Sequence, residues 1–168
     1  MQPDPTQRLR IGKTVFSLSF TATPLAVRRG LVAFETYLAG LPIAPERRDS
    51  ICIVLAEALN NITEHAYPDA SGPIWLRAQV QGHQFMATLR DRGAALPAGL
   101  LPQPGPNPGP TPGPNPGHSA PNPADLPEGG FGWHLIRSLA DGLDHARFAQ
   151  WNELRIIFRN AVPTPPLP

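Results

Sequence analysis

The chain has 168 residues, a net charge of +1, 41% hydrophobic residues, 16% charged residues and one cysteine. This length predicts one domain with a buried core, and the composition excludes fibrous proteins, wholly disordered proteins and disulfide-stapled folds. No run of Lys or Arg marks a surface for nucleic acid or lipid, and no apolar run approaches the roughly 20 residues of a membrane span. Because the N-terminus also lacks the features of a secretory signal, we expect a soluble cytoplasmic protein that contacts neither nucleic acid nor membrane.

The predicted elements alternate between paired strands and helices. In chain order they are a strand over 13–20, a helix over 24–39, a helix over 45–67, a hairpin over 73–81 and 84–90, a helix over 133–141, and a second hairpin over 143–149 and 153–159. This order predicts an α/β two-layer sandwich, in which three helices cover one face of a mixed, mostly antiparallel sheet.

Proline is concentrated in one part of the chain, where 12 of the 23 prolines lie between 97 and 127. We therefore expect a single domain over 9–160 with a Pro/Gly-rich loop over 94–128, flanked by flexible tails over 1–8 and 161–168. The loop is either an extended low-complexity insertion, since proline denies it hydrogen bonds and helix, or a docking segment for a proline-recognising partner. The first interpretation is favoured, because Pro-Gly alternation breaks a sustained polyproline helix.

The second predicted helix carries polar residues beside its apolar stripe. Glu57 and Asn61 are four residues apart and share a face of the helix, and Asn60 lies close to that face. One interpretation is a solvated helix face. The other is a nucleotide–metal site, because an Asn oxygen can bind Mg²⁺ and a Glu can accept a proton from an attacking hydroxyl or water.

Asp91-Arg92-Gly93 ends the second strand of the first hairpin. A buried Asp at this position can accept a hydrogen bond from an exocyclic amine, and the glycine lets a planar base approach the backbone. The same tripeptide is also common as a simple turn, so this motif alone is weak.

Glu128-Gly-Gly-Phe-Gly-Trp133 precedes the third predicted helix. Glycine-rich backbone that opens a helix offers free N–H groups and a positive dipole end, which together hold phosphates. It is neither a P-loop nor the dinucleotide-binding fingerprint. A flexible hinge is the alternative interpretation.

The order of the three motifs resembles the GHKL ATPases with the Bergerat, or histidine kinase-like, fold. Within that superfamily, the local sequence looks like that of the bacterial anti-sigma factor serine/threonine kinases. The two segments that carry this likeness are Glu57-Ala-Leu-Asn-Asn-Ile-Thr-Glu-His-Ala-Tyr67 and, downstream, Glu128-Gly-Gly-Phe-Gly132. The resemblance covers about residues 13–159.

The resemblance implies a role for each motif in binding ATP and Mg²⁺. Glu57 would be the general base, and Asn61 would bind Mg²⁺. The Gly130-Phe131-Gly132 segment would hold the phosphates, and the 94–128 loop would be the ATP lid.

On the base side, the resemblance implies that Asp91 binds the adenine amino group and that Gly93 lies beside the base. Asn152, just before the last strand, would stand near the adenine. Ala95 replaces a second glycine that the family often has, and Trp133 stands where the family commonly has a small aliphatic residue.

The resemblance also implies two alternative functions. In the first, the protein is a kinase that phosphorylates Ser or Thr of an antagonist protein, which competes with a sigma factor for the kinase; a homodimer is possible. In the second, it is a nucleotide-binding module that sequesters its partner with little or no phosphotransfer. The absence of Lys and Arg between Ala94 and Glu128 favours the module, since Arg92, Arg137 or a partner would have to supply a cation, whereas the Glu57–Asn61 pair favours the kinase.

Overall fold

The computed structural model describes residues 8–11, 15–95 and 130–162. In chain order its elements are β1 (Arg8–Ile11), β2 (Val15–Thr21), α1 (Pro24–Ala39), α2 (Pro45–Asn61), a π-helical turn (Ile62–Ala66), β3 (Pro73–Gln81), β4 (Gln84–Asp91), α3 (Gly130–Leu139), β5 (Gly142–Phe148) and β6 (Trp151–Phe158). The predicted lid lies outside the described residues, except for Ala94 and Ala95. No helix among these elements is long and apolar enough to span a membrane.

The six strands form one sheet in the order β1-β2-β3-β4-β6-β5. Every pairing among the described strands is antiparallel. The prediction of an α/β sandwich with three helices is therefore confirmed. The register of β4 against β6 places Asp91 directly opposite Asn152, which brings two of the predicted site residues together at one end of the sheet.

Alternation along the strands decides which side of the sheet carries the core. Phe16, Leu18 and Phe20 of β2 are buried, while the residues between them are partly exposed. The same period of two recurs in β3, β4 and β6, so each of these strands gives one apolar face to the helices and leaves the other uncovered.

The first helix begins where the sequence predicts. The side chain of Thr23 accepts a hydrogen bond from the N–H of Ala26 at 3.3 Å, and Pro24 occupies the first helical position. The hydroxyl cap satisfies one N–H group of the first turn, and proline at the first position has no N–H group that would need a partner.

Several elements differ from the prediction. The helix predicted over 45–67 ends at Asn61, and a π-helical turn over Ile62–Ala66 follows it. Strand β1 was not predicted; it has only four residues, too few for a periodic pattern, and it pairs with β2 alone. Helix α3 begins at Gly130 rather than Trp133, so the glycines form its first turn instead of preceding it. At the other end, Ala161 is buried and the N–H of Val162 donates to the carbonyl of His83, so the packed residues extend to Val162.

Candidate functional site

Helix α3 contacts α2 through its glycine-rich first turn. A Cβ atom placed on Gly132 would lie 2.5 Å from Glu57 Oε2 and 3.5 Å from Asn61 Nδ2. Any larger residue at this position would therefore displace the carboxylate. The structure brings together Glu57, Asn61 and Gly132, as the sequence predicts, and excludes a solvated face for Asn61.

Asn61 is the last residue of α2 and is 6% exposed. Its Nδ2 atom is buried and has no hydrogen-bond partner in the structure. Because leaving a buried donor unsatisfied costs about 1–3 kcal/mol, a carboxamide at this position indicates a binding site rather than a packing role. The π-helical turn that follows Asn61 also fits this conclusion, since π-helical segments are frequent at functional sites.

Asp91 lies across the cleft from α2 and is 3% exposed. Its Oδ1 atom accepts hydrogen bonds from the N–H of Gly93 at 2.8 Å and from Asn152 Nδ2 at 2.7 Å. Burial raises the pKa of the Asp91 carboxyl, although these two hydrogen bonds and the nearby Arg147 and His145 oppose that shift. Both of its bonds use Oδ1, which leaves Oδ2 to accept from a ligand amine.

Asn152 is held in position by several partners. Besides Asp91, its Nδ2 atom donates to the carbonyl of Ala94 at 3.0 Å, and its Oδ1 atom accepts from Arg147 Nη1 at 2.5 Å. Arg147 also donates to the carbonyl of Gly93 at 3.3 Å. Arg147 was not identified from the sequence, although its position two residues after His145 on β5 places both side chains on the helix-facing side of the sheet.

The turn after Asp91 packs on the end of the π-helical turn. The N–H of Ala94 donates to the carbonyl of Ala66 at 2.8 Å, and a Cβ atom on Gly93 would lie 2.3 Å from that carbonyl oxygen. The Tyr67 hydroxyl accepts from the N–H of Arg92 at 2.9 Å and donates to the carbonyl of Pro73 at 3.0 Å. Gly93 is therefore required for this close approach, and Tyr67 has a positioning role.

The helix residues and the strand residues of the site meet in a small cleft of about 10 Å³. The residues that line it come from every element of the site: Ala58, Asn61, Ile62, Asp91, Trp133, His145, Asn152 and Leu154. Trp133 and His145 were not predicted as site residues. His145 could have been found as a polar residue at a position where strand alternation requires an apolar one.

Arg92 does not point into this cleft. Its guanidinium lies 4.2 Å from the ring centroid of Trp151 and 5.8 Å from that of Trp75. Both tryptophans line a groove on the uncovered face of the sheet, opposite the helices. Arg137 lies in the last turn of α3, at the other end of that helix from the glycines. The suggestion that either arginine reaches the phosphates from its own position is therefore not supported.

The first turn of α3 suits an anion, and the residues around it suit Mg²⁺. The first four N–H groups of a helix have no partner within it and carry the positive end of the helix dipole, so Gly130, Phe131 and Gly132 present backbone donors there. Within the described residues no group of three or more His, Cys, Asp or Glu could hold a metal ion. Mg²⁺ needs no such group, because it keeps several waters and binds one or two protein ligands together with substrate phosphates.

A family model for the histidine kinase-like ATPase domain matches residues 20–158. The match includes every residue of the site described above. The chain belongs to this family. A histidine kinase-like ATPase domain binds ATP, usually with Mg²⁺, which agrees with the buried Asp91, the unpartnered Asn61 and the glycine-rich start of α3. No curated protein sequence matches the chain.

Proposed function

We propose that this domain is an anti-sigma serine/threonine kinase that transfers the γ-phosphoryl group of ATP to an antagonist protein. The observation that carries the proposal is the convergence of Glu57, Asn61 and Gly132 at the first turn of α3. A carboxylate can act as the general base, a carboxamide oxygen can bind Mg²⁺, and free helix N–H groups can bind phosphates.

In this proposal the adenine base binds beside Asp91, and the phosphates bind at the first turn of α3. Asp91, supported by Asn152 and by the Gly93 turn, accepts the adenine amino group through its free oxygen. The backbone N–H groups of residues 130–132 bind the phosphates. The side-chain oxygen of Asn61 would hold Mg²⁺, and the bound ion would neutralise phosphate charge.

Glu57 acts on the attacking hydroxyl. The Ser or Thr oxygen of the antagonist forms a bond to the γ-phosphorus, the bond from that phosphorus to the β–γ bridging oxygen breaks, and ADP leaves. Glu57 accepts the hydroxyl proton. Since phosphoryl transfer depends mainly on positioning and charge stabilisation, a carboxylate placed where α3 meets α2 can act as the base.

The regulatory consequence is a partner switch. The unphosphorylated antagonist competes with a sigma factor for the kinase, and phosphorylation releases the antagonist. Transcription in the cytoplasm is then controlled without contact between this protein and DNA. A homodimer is compatible with this scheme.

The alternative is a module that binds nucleotide and sequesters its partner without transfer. Two observations favour it. Arg92 lies over the tryptophans on the far side of the sheet, and residues 94–128 contain no Lys or Arg. A cation for the γ-phosphate would then have to come from a partner protein.

The experiment combines γ-labelled ATP, Mg²⁺ and an antagonist protein encoded near this one, and compares the wild type with Glu57→Ala. We expect label on the antagonist with the wild type and a loss of about 100-fold or more with the variant, because a positioned general base contributes about 10²–10⁴-fold. ADP binding by calorimetry should persist in both proteins.

Glu64→Ala is the matched control, since Glu64 is an exposed carboxylate seven residues further along the chain, beyond the end of α2. It should transfer label at the wild-type rate. Equal labelling with Glu57→Ala would exclude Glu57 as the base. Binding of ADP without any labelling would select the sequestering module, and failure to bind either nucleotide would overturn both functions.

A further inference from the structure

Unsatisfied polar atoms are concentrated at the cleft between Asn61 and Asp91. Among the described residues, five buried side-chain nitrogen or oxygen atoms have no hydrogen-bond partner. Three of them, Asn61 Nδ2, Trp133 Nε1 and His145 Nε2, belong to residues that line this cleft. Such atoms are rare in folded proteins, so their clustering indicates that the cleft receives polar groups of a ligand.

The cleft is too small for a base while Trp133 occupies its present position. Its volume is about 10 Å³, which corresponds to roughly one water molecule, whereas pockets for small organic ligands measure roughly 300–1,000 Å³. Trp133 is 3% exposed and is the largest residue that lines the cleft.

No side-chain hydrogen bond to the described residues holds Trp133 in the cleft. Asp91 and Asn152 hydrogen-bond to each other, and Leu154 belongs to a central strand of the sheet. Trp133 makes no hydrogen bond through its indole and lies in the first turn of α3, directly after Gly132. A rotation of this side chain would enlarge the cleft without breaking a polar contact.

We propose that Trp133 closes the base pocket and that its indole must leave the cleft before a purine can reach Asp91. The proposal rests on nucleotide binding by this domain. The side chain at position 133 thereby sets the affinity for nucleotide, because only the fraction of molecules with the indole displaced can bind.

The experiment measures binding of Mg·ADP by calorimetry to the wild type, Trp133→Leu and Trp133→Phe. Minor conformations are typically populated at about 0.1–10%, so removal of the indole in Trp133→Leu should tighten ADP binding about tenfold or more. The affinity of Trp133→Phe should lie between those of the wild type and Trp133→Leu. Ile136→Val is the control, because Ile136 is fully buried on the same helix but does not line the cleft. It should bind ADP as the wild type does.

A second measurement follows the indole itself and does not depend on the stability of the Leu variant. The chain has three tryptophans, so Trp75→Phe with Trp151→Phe leaves Trp133 alone. Its fluorescence should shift to longer wavelength as ADP saturates the protein, because the side chain moves from the interior toward solvent.

The results separate this proposal from the function on which it rests. ADP binding that is equal or weaker in Trp133→Leu, or Trp133 emission unchanged at saturation, would overturn the role of Trp133 alone. Absence of ADP binding in both the wild type and Trp133→Leu would overturn the nucleotide site itself.

Discussion

At the scale of single residues, the site depends on side chains that are placed at some cost to stability. Asn61 has a buried nitrogen without a partner, and Asp91 is a buried carboxyl. Gly132 lies within a helix, where glycine is about 1 kcal/mol less favourable than alanine. Binding of a ligand would explain each of these choices, and each predicts that stability and activity can be separated by mutation.

Gly132→Ala should lower phosphotransfer while leaving the fold intact. The new Cβ would lie 2.5 Å from Glu57 Oε2, which is the end of a flexible side chain and can move aside. Misplacement of a catalytic group by about 1 Å can cost about 100-fold, whereas the gain in helix propensity offsets any loss of stability. Steady-state kinetics measures the loss of phosphotransfer, and thermal unfolding measures the stability of the fold.

Ser138→Ala is the control, because Ser138 is an exposed residue of the same helix and receives the same new side chain. It should change neither measurement. A Gly132→Ala protein with wild-type kinetics would show that the contact with Glu57 has no catalytic importance.

The raised pKa of Asp91 gives a second prediction at this scale. Because burial raises the pKa of this carboxyl in the folded state, folding favours its protonated form. The associated stability is fully present below the unfolded-state pKa and is lost as the pH rises through the folded-state pKa. Asp91→Asn cannot ionise, so its Tm relative to the wild type should increase as the pH rises across this range.

Asp91→Asn should also lose nucleotide affinity, roughly tenfold or more, because an amide does not provide the same acceptor for the adenine amine. The Asn oxygen can still accept from Gly93 and Asn152, so the fold should persist. Thermal unfolding between pH 4 and pH 8 and calorimetry with ADP measure both effects. Asp69→Asn, at an exposed position, is the control; an identical pH profile for the two variants would contradict the prediction.

At the scale of elements, the base side of the site is a junction between the end of β4 and the π-helical turn. Ala66 and Tyr67 together accept hydrogen bonds from the N–H groups of Ala94 and Arg92. The turn that carries Asp91 is thus fixed by backbone contacts on both sides of Gly93, and its position depends on how closely the two elements approach.

Gly93→Ala should therefore separate these elements. A Cβ atom would lie 2.3 Å from the carbonyl oxygen of Ala66, which is backbone and cannot move aside alone. Overpacking of this kind typically costs about 1–3 kcal/mol, which for a domain of this size lowers Tm by roughly 2–12 °C. ADP affinity should fall in parallel, because Asp91 moves with the turn.

Gly40→Ala provides the matched control for that change. Gly40 has a φ of −81° and the nearest atom to its added Cβ, the carbonyl oxygen of Tyr37, is 3.4 Å away. Its Tm should change little in thermal unfolding. A Gly93→Ala protein as stable as Gly40→Ala would show that the junction tolerates expansion.

At the scale of the whole molecule, two layers divide the chain into a functional side and an uncovered side. The helices and the polar residues of the site share one face of the sheet, while Trp75, Trp151 and Arg92 lie on the other. Neighbouring residues in a strand point to opposite faces, which explains why Asp91 enters the cleft and Arg92 does not.

The sequence by itself determined the type and order of most elements, since periods of 3.6 and 2.0, the Thr23–Pro24 cap and the glycine turns are local properties of the chain. It also gave Glu57, Asn61, Asp91 and the glycines as candidates, because the order of their three motifs resembles that of the GHKL ATPases. It did not find β1, whose four residues carry no periodic signal and whose hydrogen bonds come only from β2.

Only the tertiary structure decided which candidates meet. The register of β4 against β6 pairs Asp91 with Asn152, and the packing of α3 on α2 places Gly132 against Glu57. Trp133 and His145 join the site for the same reason. These contacts join residues that are distant in the chain, so they depend on packing between elements, which no local pattern of the sequence encodes.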